Sequence, residues 1–361
     1  MSGPWLHLFN PENDLALGLG VSHYTPPPVA AALHRAGGLL PAWWSHPGDA
    51  QLVTGEGYET DAEWLQSRWG IEAHLVTSAS VDHRPAPWGW STDAARQFAE
   101  AGISAKALPT VDTLAHYRRL SHRRSSIAIL EALGMEPDML PREFTDADSA
   151  LEAELSDRGC YFKSPWSCSG RGVFCARSMS KEALHGRISG IIRRQGSVIV
   201  ERGFSRQLDF AALFYADGNV SFKGVSVFTT GRDGAYGGNL VAPQSRLRSL
   251  LWDAGAAQEL EVICSRLETI LTGFVRGYHG WLGVDMMIHT EADGHRAIHP
   301  CIELNLRTTM GVAAMAIAEV IGRQEPQLMG WHTVTPDVTP AGELLLPQRD
   351  GFALTLTPWY P

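Results

Sequence analysis

The sequence predicts an α/β domain on a parallel sheet at the N-terminal side, followed by α+β parts built on antiparallel strands. Three observations carry that prediction. Up to about residue 90, short apolar runs alternate with helical or turn-rich segments, the pattern of parallel strands joined by crossovers. Residues 208–228 and 278–305 each hold two runs with apolar residues at every second position around turn-forming residues, as hairpins do. Between them, residues 146–201 alternate helix and strand signals around a loop of small residues.

Taken in order, residues 5–9 form an apolar strand that stops at Asn10-Pro11-Glu12-Asn13-Asp14. Open α/β sheets gather ligand groups at the carboxyl ends of their strands, which marks Asn10, Glu12, Asn13 and Asp14 as substrate candidates; a helix cap explains the same residues equally well. A helix over 29–36 starts after Pro26-Pro27-Pro28 and ends at Gly37-Gly38. Strands are expected at 39–44, 51–53 and 73–76, and a loop at 84–90. These make a Rossmann-like domain over residues 1–115.

Helical stretches at 112–120 and 121–133 break near Ser121, with Ile127, Leu130 and Leu133 as the buried stripe and Gly134 as the C-terminal cap. Arg118, Arg119, Arg123 and Arg124 form a basic face, solvated on the simpler reading and in part phosphate-binding on the sharper one. A small lobe over 116–205 follows: helix 146–155, strand 160–163, loop 164–172, strand 173–176, helix 181–194 and strand 197–201. A large lobe over 206–361 opens with a hairpin (208–215 and 220–228) around Asp217-Gly218-Asn219. Residues 229–239, with four glycines and Arg232, are expected to be a loop at the acceptor end of the site. A long helical pattern at 246–274, in two pieces, precedes the second hairpin. A helix at 308–321 and short strands at 343–346 and 353–356 close the chain.

Composition narrows the function classes. Hydrophobic residues at 44% and charged residues at 19% describe an ordinary globular protein, and a formal charge of −9 argues against nucleic acid or an anionic membrane as partner. No signal-peptide pattern and no apolar run of bilayer length is present, so a cytoplasmic protein is expected. The 5 cysteines lack paired Cys-x-x-Cys spacing and read as reduced thiols. Most of the 12 tryptophans suit core packing.

The chemistry accumulates in three places. In the 278–305 hairpin, with its turn near Gly294, Asp285 falls opposite Ile302 or Glu303. Directly opposed residues have Cβ atoms about 4.5–5.5 Å apart, so Asp285, Glu303 and Asn305 offer hard oxygen ligands of the kind magnesium prefers. A merely solvated hairpin face is the simpler explanation of those three side chains alone. Lys163 ends a strand before Ser164-Pro165-Trp166-Ser167-Cys168-Ser169-Gly170-Arg171-Gly172, a loop whose backbone and hydroxyls can approach phosphates beside a point charge. Val198–Phe204 is an apolar strand leaving at a hinge, with backbone able to meet an adenine edge.

Together and in this order, these stretches resemble the ATP-grasp superfamily over about residues 121–321. The resemblance rests on Lys163 with its small-residue loop, Val200-Glu201, Gly283-Val284-Asp285 and, most specifically, Glu303-Leu304-Asn305-Leu306-Arg307. It implies a two-lobed ATP-grasp fold behind an N-terminal domain that helps to bind substrate. It implies that Lys163 holds the α- and β-phosphates under a loop containing Ser167, Ser169, Gly170 and Gly172. Glu201 and Gly203 would meet adenine through backbone, and Asp209 the ribose. Asp285, Glu303 and Asn305 would hold magnesium, with manganese as the alternative, and Arg307 would meet the transferred phosphate or substrate carboxylate. Two departures stand out. A lysine common in relatives near residue 121 is replaced by His122-Arg123-Arg124, and Gly283 stands where many peptide-forming members carry an arginine.

The reaction implied is ATP-dependent joining of a small carboxylate to an amine, an amino acid or short peptide among the options, with ADP and phosphate released. A phosphotransferase of the same fold and a catalytically silent nucleotide-binding regulator are the rivals. A homodimer remains open.

Overall fold

The computed structural model describes residues 3–153, 159–167, 170, 172–231, 235–254, 257–335 and 340–360. The chain forms two compact units, one of Met1–Tyr117, Gly238–Arg246 and Arg307–Pro361, the other of Arg118–Gly237 and Leu247–Leu306.

The first unit begins with β1 (Trp5–Leu8), α1 (Asn13–Leu19), α2 (Pro28–Ala36), β2 (Ala50–Leu52), α3 (Tyr58–Trp69), β3 (Leu75–Val76), β4 (Arg84–Pro87) and α4 (Thr92–Glu100). Its strands pair in parallel in the order β3-β2-β1-β4, the expected parallel sheet. Two local expectations are corrected. Residues Leu40–Trp44 are a 3-10 helix, not a strand. Leu40, Pro41, Ala42 and Trp43 are all buried, and an apolar run without period does not distinguish the two states. Arg84–Pro87, read as loop, is an edge strand. It tolerates Pro85 and Pro87 because the sheet bonds come from the flanking amides, Arg84 to Pro4 and Trp88 to Leu8.

From the first unit α5 (Val111–Leu120) leads along the chain to α6 (Arg124–Ala132), β5 (Arg142–Phe144), α7 (Ala147–Glu152), β6 (Cys160–Lys163), β7 (Val173–Cys175), α8 (Lys181–Gln195) and β8 (Val198–Arg202). On α6 the buried stripe is Ile129 and Leu130, continued by Leu133, with Ile127 only half-buried. β5 to β8 form an antiparallel sheet in the order β5-β8-β6-β7. Phe162, Val198 and Val200 on one sheet face pack with Ile188 of α8 and Ala150 of α7, all fully buried. The remaining strands of this unit are long: β9 (Ser205–Asp217) and β10 (Asn219–Thr230) pair as the expected hairpin about Gly218.

β11 (Tyr236–Val241) occupies residues expected in the glycine-rich loop. The glycines there serve close approach: a Cβ on Gly237 would sit 2.7 Å from Thr229 Oγ1, and one on Gly238 2.5 Å from the Met329 carbonyl oxygen. Arg232 lies outside the described residues. After α9 (Gln244–Asp253) and α10 (Ala257–Phe274) come β12 (Gly280–Thr290) and β13 (Arg296–Asn305). Within the second unit the long strands run in the order β13-β12-β9-β10, with α10 packed on β10 and α6 on β13.

The chain then returns to the first unit through α11 (Met310–Ile321), β14 (Gln327–Thr333), β15 (Glu343–Leu344) and β16 (Phe352–Pro358), which with β11 give the order β11-β14-β16-β15. The core of this unit joins Phe9, Trp43, Trp88, Ile317, Met329 and Leu354, so the tryptophans here are packing residues; Phe9 meets Trp88 edge-on at 5.0 Å. Among the described residues Cys264 and Cys301 are free thiols, and no helix is long and apolar enough to cross a membrane.

Phe162 is fully buried in the core of the β5–β8 sheet, stacked on Phe174 at 5.6 Å. Phe162→Ala is expected to cost about 3–5 kcal/mol of unfolding free energy, measured by urea denaturation.

Candidate functional site

The β12–β13 pairing sets the geometry of the second unit's polar face. Gly283 lies opposite Asn305, Val284 opposite Leu304 and Asp285 opposite Glu303. Beyond that point the register slips, and Met287 faces His299. Because side chains alternate with a period of two, the slip keeps His299 and Cys301 on the same face as Glu303 and Asn305. Two opposed carboxylates and a neighbouring amide oxygen fit a hard cation that keeps water and phosphate as its other ligands. Among the described residues no group of three or more His, Cys, Asp or Glu is arranged to hold a metal unaided.

Cations approach this face from two sides. Lys163, at the end of β6 and only 5% exposed, forms an ion pair with Glu201 on β8. Arg123, just ahead of α6 and 6% exposed, forms an ion pair with Glu303 at 2.8 Å. The same guanidinium donates to the Ser164 carbonyl at 3.0 Å and to Ser167 Oγ at 2.9 Å. One arginine thus ties the loop after Lys163 to a carboxylate on β13. Gly172 closes this loop where nothing larger fits: a Cβ there would meet Ser167 Cβ at 2.5 Å. Gly170 adopts φ 76°, the left-handed region that favours glycine. Ser169 lies outside the described residues.

The departure at residues 122–124 is resolved by burial. Arg124 is mostly exposed and pairs with Glu143 at 2.7 Å. His122 packs edge-on against Trp166 with ring centroids 4.6 Å apart, and burial, aided by Arg124, Arg118 and Arg123, pushes its pKa down to about 3. His122 is therefore neutral near pH 7, which leaves Arg123 as the buried charge at this position. Its neighbours in sequence read as a solvated face because periodicity on a short helix does not identify the residue just before it.

At the hinge, Glu201 pairs with Tyr161 across β6, and the Gly203 amide donates to the Gly159 carbonyl at 3.0 Å. Phe204 follows, edge-on to the buried His299 at 4.9 Å. Asp209, on β9, accepts from Arg206 Nη1 at 3.0 Å and from the Thr230 hydroxyl. Burial holds its carboxyl above the usual value despite both hydrogen bonds. Arg206 had no motif to mark it, and the sequence assigned His299 and Phe204 no role of their own; each is recognised by what it touches.

The first unit carries a separate polar cluster at the carboxyl end of β1. Asn10 is buried and bridges to Gly89, donating to its carbonyl at 2.9 Å and accepting from its amide at 3.3 Å. Glu12 pairs with His34 Nδ1 at 2.9 Å, and Asp14 pairs with Arg307 Nε at 2.9 Å. Asn13 packs so tightly on Gly89 that a Cβ there would lie 2.4 Å from its Nδ2. A helix does begin here, yet its N-cap residue Glu12 makes no side-chain capping bond. These polar side chains make tertiary contacts instead. Glu12 Oε2 and Asn13 Nδ2 are buried without a hydrogen-bond partner among the described residues.

No family model matches the chain, and no curated protein does. Solved structures do. N5-carboxyaminoimidazole synthetase from Staphylococcus aureus, complexed with ADP, superposes with a TM-score of 0.51 at 10% identity, covering 98% of this chain and 93% of that one. The biotin carboxylase domain of Hydrogenobacter thermophilus 2-oxoglutarate carboxylase, with MgADP and bicarbonate, gives 0.55 at 12% identity over 100% and 87%. Biotin carboxylase from Campylobacter jejuni gives 0.51 at 13% over 98% and 87%. Similarity at this level extends over nearly the whole chain and concerns the fold. The chain has the ATP-grasp fold.

Proposed function

We propose that the protein is an ATP- and magnesium-dependent ligase that joins a carboxylate to an amine through an acylphosphate, releasing ADP and phosphate. One observation carries this reading: Asp285 stands opposite Glu303, and Arg123 links Glu303 to the loop beside Lys163. Carboxylates for a cation, a buried lysine and a loop of small residues are what phosphoryl transfer needs, since it is catalysed by positioning and charge stabilisation. The reading is also supported by the fold it shares with proteins crystallised with ADP, one of them a synthetase.

In this assignment Asp285, Glu303 and Asn305 hold magnesium, which supplies charge neutralisation on the triphosphate. Lys163 and Arg123 hold phosphate oxygens, exchanging their present partners Glu201 and Glu303 for them. The Ser167–Gly172 loop covers the phosphates, Glu201 and Gly203 present backbone to adenine, and Asp209 takes the ribose. A carboxylate oxygen of the substrate attacks the γ-phosphorus and ADP leaves. The amine then attacks the acyl carbonyl, phosphate leaves, and the extra proton on nitrogen is released. Water must be kept from the acylphosphate. In the first unit Asn10, Glu12, Asn13 and Asp14 are assigned to an ammonium substrate and Arg307 to an anionic substrate group.

Glu303→Gln is expected to lower kcat by about 10²-fold or more, because a negative ligand is lost where charge must be balanced. It also removes the counter-charge of buried Arg123, so a fall in melting temperature accompanies the loss. Turnover with pooled carboxylates and amines is expected to release ADP and phosphate only when both substrates are present. AMP and pyrophosphate, or a stable phosphorylated product formed without amine, overturn the ligase reading. Glu12→Gln and Asp14→Asn are expected to raise KM for the amine about ten- to a hundredfold and leave that for ATP within about twofold, since a lost charge-assisted bond costs about 1.5–3 kcal/mol at the amine alone. If both variants keep wild-type amine kinetics and lose only thermal stability, the cluster is structural.

A further inference from the structure

His299 is 1% exposed and carries a buried nitrogen without a hydrogen-bond partner among the described residues. The Met139 backbone acts on the ring as a hydrogen-bonding neighbour that raises its pKa, while Nδ1 has no hydrogen-bond partner among the described residues. Burial, reinforced by Lys163 and His289, pushes its pKa down to about 3, so the imidazole is neutral near pH 7. A neutral ring that donates through Nε2 has a bare acceptor at Nδ1. Leaving such an acceptor unpaired in the interior costs about 1–3 kcal/mol, so the arrangement calls for a partner.

The surroundings say which partner. His299 shares the β13 face with Cys301, Glu303 and Asn305, and faces Met287 across the pairing. Four residues of strand, at about 3.3 Å each, separate it from Glu303 by up to about 13 Å, on the scale of an extended nucleotide. Phe204, on the chain segment leaving β8, meets His299 at 4.9 Å and His289 at 4.8 Å. The end of this face far from the carboxylates is thus lined by Phe204 and two histidine rings, and His299 Nδ1 is an acceptor there.

We propose that His299 reads the purine base: Nδ1 accepts from the 6-amino group of adenine and selects ATP over 6-oxopurine triphosphates. The inference rests on the nucleotide reading above and adds the group that discriminates between bases. A 6-oxo group would set its own acceptor against Nδ1, and a site built to pair with a donor rejects a ligand lacking it.

The test measures dissociation constants of the magnesium complexes of ATP and inosine triphosphate for wild type, His299→Gln and His299→Phe. Wild type is expected to prefer ATP by about tenfold or more, equivalent to 1.4 kcal/mol or more. In His299→Phe that ratio should fall to near one through weaker ATP binding, while His299→Gln, which keeps an acceptor oxygen, retains part of it. A folded His299→Phe with the wild-type ratio overturns the proposal, as does a wild type without preference. Should the variants not fold, nitrogen-15 NMR of histidine-labelled wild type decides. The His299 Nδ1 resonance must move with magnesium-ATP and not with magnesium-inosine triphosphate; no movement with ATP overturns the proposal. Wild type that binds neither triphosphate overturns the nucleotide reading, and the base-reading role with it.

Discussion

The pairing of β12 with β13 is the constraint on which the second unit's polar face depends. Asp285 and Glu303 are directly opposed, and residues so paired have Cβ atoms about 4.5–5.5 Å apart on one side of the sheet. A slip of one residue would carry Glu303 to the apolar side and Leu304 into its place. Val284 and Leu304, both buried, oppose that slip, because exposing them would forfeit about 1.5–3 kcal/mol apiece. The register is therefore held by the core face while the chemistry occupies the other. The irregularity after Asp285 shifts the partner strand by an even number of positions, so the face survives it.

Charge balance follows from that opposition. Two adjacent carboxylates repel, and Arg123 offsets one of them at 2.8 Å. Lys163 is offset by Glu201 in the same way. Neither cation has much water around it, and a buried charge without a partner costs several kcal/mol. These ion pairs are consequently structural ties. Arg123 reaches further than Lys163, since its planar fork satisfies a carboxylate, a carbonyl and a hydroxyl at once.

The first unit solves a different problem. The run Asn10-Pro11-Glu12-Asn13-Asp14 begins a helix but gives it no side-chain cap; Asn10, Glu12 and Asp14 turn to partners elsewhere in the unit, 79, 22 and 293 residues away. Helix starts usually spend such side chains locally, so their long-range use here has to be maintained by packing. Gly89 supplies part of it by allowing Asn13 to approach where any side chain would collide.

Local periodicity determined a good deal from the sequence alone. The parallel first sheet, the strand ending in Lys163, both hairpins and the opposition of Asp285 to Ile302 or Glu303 were all legible, because each is written in residues close along the chain. The ATP-grasp resemblance added the order of those pieces, and the roles it implies for single residues remain proposals. What only the tertiary structure decided involves contacts between distant residues. Leu40–Trp44 became a 3-10 helix and Arg84–Pro87 an edge strand because burial and neighbouring amides, not period, settled them. Gly237 and Gly238 read as loop until Thr229 and Met329 appeared against them. Of His122, Arg123 and Arg124, the sequence could not say which is the buried cation. Arg123 is distinguished by partners 41, 44 and 180 positions downstream, at Ser164, Ser167 and Glu303, and no local pattern encodes a contact of that range.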